Sequence, residues 1–187
     1  MIEEFKIKDG RVVFIKRLTM DDYKINKNYE YVHSWLNQVN KYLALEFDKE
    51  NLEQDRRNFE IIMSNKDNYI MIGAIYNEKI IASANLELNL RNKKMGHIGK
   101  WGIAIHPKFQ NKGLGTRLLL IIENIAKEKG LKKLETEYFN SNVKAEKLYV
   151  EKLKYQIEGR RKCGAKLKEG IYTNRILIGK IIDDSLK

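Results

Sequence analysis

The sequence predicts one mixed α/β (α+β) domain, a mostly antiparallel sheet carrying helices on both faces. Three observations point there. Its 187 residues match the usual span of a single domain, about 100–200 residues. Tight-turn signals at Asp9-Gly10 and Asn77-Glu78 separate runs rich in β-branched and aromatic residues, which implies antiparallel hairpins. Residues 97–139 read strand, helix, strand, and a crossover of that kind demands a parallel pairing.

The elements follow in order. Residues 4–18, EFKIKDGRVVFIKRL, form the first hairpin around Asp9-Gly10. Thr19-Met20-Asp21-Asp22 then starts a helix, with a hydroxyl cap and an acid three residues on. Tyr31, Trp35, Val39 and Tyr42 fall near helical spacing and carry that helix to about Asn40. Asp48 starts another, with Leu52, Phe59 and Ile62 as its buried face. Two strands follow, residues 69–76 and 79–90. Residues 97–106, HIGKWGIAIH, give a further strand, ended by Pro107. The helix after Gly113 places Leu114, Leu118, Ile121, Ile122 and Ile125 on one face and stops at Gly130. A strand over 131–139, a helix over 142–153 and strands over 155–162 and 170–182 complete the chain. No repeat, low-complexity segment or linker divides it, so residues 1–187 are expected to form one domain.

Composition narrows the function classes. With 43% hydrophobic residues the chain can bury a sizeable core, yet no apolar run nears the roughly 18 residues of a membrane span. Met1-Ile2-Glu3-Glu4-Phe5 lacks a secretory pattern, so a cytoplasmic protein without membrane contact is expected. Cys163 is the single cysteine, and His33, His97 and His106 lack ligand spacing; no disulfide and no metal site are expected. Lys plus Arg exceed Asp plus Glu by 36 − 25 = 11, a field that favours anionic partners. The basic residues are scattered rather than run together, and few aromatics lie among them, which weighs against nucleic acid as a partner.

The segment WGIAIHPKFQNKGLGTRLLLIIENIAKEKG, residues 101–130, breaks at Gln110 to Gly115 and resumes at once as a helix. The first N–H groups of such a helix lack partners and, with the helix dipole, favour an anion. Glycine lets a phosphate approach the backbone and admits dihedrals closed to other residues. A P-loop would need GxxxxGK[ST], and a dinucleotide fingerprint a third glycine after Gly113-Leu114-Gly115; both are absent. What fits is QxxGxG, Gln110-Asn111-Lys112-Gly113-Leu114-Gly115, after a hydrophobic strand and His-Pro. Here the sequence resembles the GNAT superfamily of acyl-CoA-dependent N-acetyltransferases, whose pyrophosphate signature is [QR]xxGx[GA].

A second motif stands about thirty residues on: Asn142-Val143-Lys144-Ala145-Glu146-Lys147-Leu148-Tyr149 is similar to the family's NxxAxxLY. The resemblance implies a GNAT-like sheet of six to seven strands with a central parallel pair, and acetyl-CoA as cosubstrate with no metal. It also implies cofactor contacts from Gln110, Asn111, Lys112, Gly113, Leu114, Gly115, Thr116 and Asn142, and from the backbone of Ile103, Ala104 and Ile105, which would pair with the pantetheine like an added strand. Backbone N–H on that strand would also stabilise the carbonyl oxygen as it gains charge. Tyr149 would face the thioester sulfur and protonate the departing thiolate, a chemistry a phenol can supply. The family usually continues LYxKxGF, whereas Leu148 to Tyr155 is one residue longer and has Lys154 for Gly; a helical bulge or a changed turn could absorb the extra residue.

The attacking amine must be neutral, so a carboxylate near the thioester is needed to take its proton. Glu137, five residues before Asn142, resembles the base of ribosomal-protein N-terminal acetyltransferases. A solvated strand residue is its alternative reading, and His97 and Glu87 are reserves. Where other members place an acid on the strand before the break, this chain has Lys100. Glu46, Asp48, Glu50, Glu53 and Asp55 cluster where the family's acceptor groove would lie and could attract a cationic amine, or simply decorate a helix N-terminus. The resemblance covers about residues 11–182. It implies acetyl transfer from acetyl-CoA to a primary amine (a small amine, polyamine, amino acid, protein N-terminus or lysine) by direct attack in a ternary complex. The rival expectation is a non-catalytic module binding CoA or nucleic acid. A homodimer is left open.

Overall fold

A computed structural model describes residues 2–90, 92–168 and 170–186; Met1 and Lys187, the ends of the expected domain, lie outside the described residues. A single eight-stranded sheet runs through the chain in the order β1-β2-β3-β4-β5-β6-β8-β7. β1 (Ile2–Lys6) and β2 (Val12–Arg17) form the first hairpin, and β3 (Tyr69–Tyr76) and β4 (Lys79–Leu88) the second. β5 is Ile98–Ile105, β6 Lys133–Phe139, β7 Gln156–Lys166 and β8 Tyr172–Ile181. All pairings are antiparallel except β5 with β6, the pair that the crossover demanded. The sheet exceeds the expected six to seven strands because the first hairpin joins it, β2 pairing with β3 from Phe14↔Ile75 to Arg17↔Ile72 and β1 forming the edge.

Both faces are covered. α4 (Leu114–Glu128) and α5 (Val143–Glu146) pack on one, where Leu118, Leu119, Ile122 and Leu134 are fully buried. α1 (Met20–Lys24), α2 (Asn28–Val39) and α3 (Leu52–Ser64) cover the other, around Tyr23, Trp35 and Ile80. Strand alternation decides which side chain joins which core: Ile103 and Ile105 pack with the first, Ala104 with the second.

The helix expected from Thr19 to about Asn40 is instead broken. Thr19 does start α1, and its N–H donates to the Asp22 carboxylate at 2.9 Å. Asn26 and Lys27 then take left-handed dihedrals, φ 53° and 52°, and α2 begins afresh. Tertiary bonds impose the break. Buried Asn28 donates through Nδ2 to the carbonyls of Asp22 (3.1 Å) and Glu78 (3.0 Å) and accepts from Ile80 N–H (3.3 Å), so the β3–β4 turn docks where α1 ends. The buried face of α3 also differs from expectation. Leu52, Phe59 and Met63 pack inward, while Ile62 is 41% exposed because it turns toward a cavity mouth. Asp48 heads a 3₁₀ turn, Lys49–Asn51, rather than α3 itself.

Asn28 thus joins three chain segments through one side chain. Replacing it by Ala strands the buried Ile80 N–H and frees two part-buried carbonyls, and Asn28→Ala should lower unfolding free energy by about 1–3 kcal/mol. Urea denaturation checks this; a loss below about 0.5 kcal/mol would mean the break is held by other contacts.

Candidate functional site

β5 and β6 run together for three steps only: Ile98↔Lys133, Gly99↔Leu134 and Lys100↔Glu135. Beyond them the strands part, while β4 stays paired to the other edge of β5 as far as Ala82↔Ile105. The next β5 carbonyl, that of Trp101, is taken by a side chain, Thr136 Oγ1 donating at 2.7 Å. A strand residue turns its N–H and C=O to one edge and its neighbours to the other. Ile103 and Ile105 therefore share the open edge with Trp101. Ala104 turns its backbone groups to β4 opposite Ser83, so of the three expected backbone contacts it alone faces away from the gap. The Ile105 carbonyl accepts from Gln110 Nε2 at 3.0 Å.

The gap leads to the glycine break. Asn111 (φ 60°) and Gly113 (φ 87°) are both left-handed, and Gly113 is the residue from which α4 starts. A Cβ on Gly113 would meet nothing nearer than 4.0 Å, so glycine serves conformation there. Gly115 serves packing: a Cβ would press to 3.1 Å on Ile105 and Leu148. Arg117 N–H makes the first helical bond, to Gly113 O at 3.1 Å. Among the described residues, the N–H groups of Lys112 through Thr116 donate to nothing. This is the row of orphan donors at a helix start that suits an anion.

The first hairpin braces this loop. Lys8 N–H donates to Lys112 O at 3.1 Å, and Asp9 binds both Arg11 (2.7 Å) and Lys112 Nζ (2.9 Å). Arg11 above all, then Lys112, holds the Asp9 carboxyl well below the usual carboxylate range. The Lys112 side chain is thereby turned to the hairpin, leaving its backbone to the loop. Leu114 is buried beneath the loop, and Thr116 lines the gap.

A cavity of about 840 Å³ joins these features. Lys8, Lys144, Lys147 and Lys152 line it, as do Glu46, Asp55 and Glu137; Lys8 lies beside Gly113, and Lys144 Nζ donates to Gln110 Oε1 at 3.3 Å. Two of the five clustered acids therefore reach it. Asp48 instead pairs with Lys168 at 2.5 Å, and Glu53 stands 3.8 Å from Arg56. Asp55 lies 3.1 Å from the buried His33.

Tyr149 and Glu137 line the same cavity from opposite faces of the sheet. Tyr149 sits on a π-helical turn, Lys147–Lys152, in which Leu153 N–H bonds Leu148 O five residues back at 3.0 Å. The residue in excess of LYxKxGF is absorbed there, and Lys154 takes the left-handed conformation (φ 63°) expected of the glycine it replaces. The Tyr149 ring stands edge-on to Trp101, centroids 4.9 Å apart, and burial pushes its hydroxyl well above the ordinary value. Asn142 caps α5, its Oδ1 accepting from Ala145 N–H at 3.1 Å, and it also lines the cavity. The Glu137 carboxylate is ion-paired with Arg175 on β8. His97, Glu87 and Lys100 are exposed and lie apart from the cavity lining.

Sequence reasoning passed over Trp101, Thr136 and Arg175. A tryptophan after the paired steps was a visible signal; the other two depend on which strands meet. Among the described residues, no group of three His, Cys, Asp or Glu could hold a metal ion, and no helix is long and apolar enough to cross a membrane.

The sequence model of the acetyltransferase (GNAT) family matches residues 30–155. No curated protein sequence matches the chain significantly. Among solved structures, a GNAT-family acetyltransferase from Streptococcus pneumoniae superposes with a TM-score of 0.71 at 26% identity, covering 90% of this chain and 99% of the other. A ribosomal-protein-S5-alanine acetyltransferase from Vibrio fischeri gives 0.75 at 19% identity, covering 98% of each. An N-acetyltransferase from Staphylococcus aureus Mu50 gives 0.74 at 14%, covering 91% and 99%. The last two likenesses show the fold alone.

The cavity walls carry an alkaline signature. Burial raises the hydroxyls of Tyr23, Tyr69 and Tyr149 on those walls, and that of Tyr155 packed against Trp101, so each stays protonated in the fold while its unfolded counterpart ionises near pH 10. Their stabilising effect is intact below that pH and is lost as pH rises beyond it, by up to about 1.4 kcal/mol per tyrosine per pH unit. Urea denaturation at pH 9 and pH 11 should show the loss; equal stability at both would contradict burial of these hydroxyls.

Proposed function

The chain belongs to the acetyltransferase (GNAT) family, and from that premise we propose that it transfers the acetyl group of acetyl-CoA to a primary amine by direct attack in a ternary complex. Residues 1–187 are read as one such domain, acting in the cytoplasm. The observation that carries the reading is the continuity of the gap. The unpaired edge of β5 at Ile103 runs to the donor row at residues 112–116, so a molecule with an amide-bearing arm on a diphosphate can satisfy both at once. Lys8 and Lys144, beside that end, match the phosphate charge.

Each residue then has a task. Lys112 to Thr116 hold the diphosphate through backbone N–H groups, with Gly113 supplying the dihedral and Gly115 the close packing. Asn142, whose Oδ1 serves the helix cap, has Nδ2 for the arm. Ile103 pairs with that arm and offers an N–H to the developing oxyanion. Glu137, held by Arg175, accepts the proton of the amine directly or through water on the acceptor face. Tyr149 donates to the departing thiolate from the other face. Burial weakens it as an acid, but the same apolar surroundings raise the basicity of a thiolate expelled beside it, so donation stays matched.

CoA at a hundredfold excess over its dissociation constant should raise Tm by on the order of 5–10 °C. Gly113→Glu places a side chain at a strained dihedral and a negative charge beside the donor row, and should abolish the shift; a retained shift would refute the diphosphate cradle. An acceptor screen over small amines, polyamines, amino acids and peptide N-termini, read as thiol release, tests the transfer itself.

Tyr149→Phe should lower kcat by roughly 10²–10⁴-fold while sparing CoA affinity, and Glu137→Gln should flatten the rise of rate with pH. Unchanged turnover in the first would remove the acid. An unaltered profile in the second would move the base role to water or another group.

A further inference from the structure

Two carbonyls on the open edge of β5 are already engaged, both by side chains. Thr136 Oγ1 donates to Trp101 O at 2.7 Å and Gln110 Nε2 to Ile105 O at 3.0 Å. Both carbonyls face the side where β6 has parted from β5. Ile103 lies midway between them. Its N–H and C=O point to the same edge, because strand groups repeat every second residue.

We propose that Thr136 and Gln110 set the register in which the amide-bearing arm of the acyl carrier docks on β5. With the carbonyls of Trp101 and Ile105 each engaged, Ile103 keeps the carbonyl between them that accepts no bond among the described residues. An arm seeking an acceptor for its N–H then has one seat. A slip of one repeat, two residues, would displace it by roughly 6.6 Å along the strand, several bond lengths from the place where Tyr149 can reach the leaving sulfur. The device is coupled to the acid as well: Trp101, whose carbonyl Thr136 occupies, is the residue whose ring stands edge-on to Tyr149. Both residues act by positioning. The assignment rests on the acetyl-CoA reading above, and it adds the reason why one register is chosen.

The test compares Thr136→Val, which removes the hydroxyl at nearly constant shape, with Thr136→Ser, which keeps it; Gln110→Leu repeats the experiment at the other carbonyl. Each full-length variant is assayed for affinity to adenosine 3′,5′-bisphosphate, which has phosphates but no arm, for affinity to CoA, and for acetyl-CoA turnover with an acceptor found in the screen. Thr136→Val should lose at least about tenfold in kcat with KM for acetyl-CoA changed less than about threefold, since misplacement costs rate rather than binding. In Thr136→Val bisphosphate affinity should stay within about twofold, Thr136→Ser should match the unaltered protein, and Gln110→Leu should follow Thr136→Val in its loss of kcat. Unchanged kcat in both Thr136→Val and Gln110→Leu would overturn the register assignment alone, as would a parallel loss of bisphosphate and CoA affinity. No CoA binding by the unaltered protein would overturn the transferase reading and this assignment with it.

Discussion

Two parallel strands that part after three paired steps set the conditions for everything else in this molecule. A strand edge inside a fold costs free energy when its N–H and C=O groups find no partner. Here β5 leaves its β6 partner at Lys100↔Glu135 yet continues to Ile105 beside β4. Part of the cost is relieved internally, through Thr136 and Gln110. The remainder is the binding capacity of the gap. Trp101 stands at the parting point, its ring on the α4–α5 face of the sheet, packed edge-on against Tyr149 and Tyr155.

That parting also sorts the chemistry by face and by charge. Tyr149 on the α5 side and Glu137 on the α2–α3 side both line the one cavity. Lys8 and Lys144 stand by the helix start, while Glu46 and Asp55 enter the same cavity from the α3 side, so its charge is not uniform. A globally basic chain can therefore present a locally acidic pocket. The brace from the first hairpin, Lys8 and Asp9 onto Lys112, keeps the donor row in shape from outside the crossover unit.

Local signals in the sequence carried much of this. The break between Pro107 and Gly115 was legible because glycine dihedrals and helix starts are set within a few residues. So was the irregularity after Tyr149: one residue too many for a regular helix leaves few outcomes, and a π-helical turn with left-handed Lys154 is one of them. What stayed hidden depends on distant partners. Helical spacing through Asn26 and Lys27 gave no warning that Asn28 would bond the β3–β4 turn. Ile62 keeps helical phase with Phe59 yet faces a cavity mouth. Arg175 and Glu137 come together only because β8 lies beside β6, and Thr136 matters only because the strand next to it runs parallel and then departs.

The direct test of the account is a crystal structure of the protein grown with excess CoA. It should show the diphosphate against the N–H groups of residues 112–116 and the amide arm lying along Ile103 in the gap between β5 and β6. Closure of the gap by β6 pairing onward past Thr136, or occupation of the donor row by a side chain of the protein itself, would contradict it.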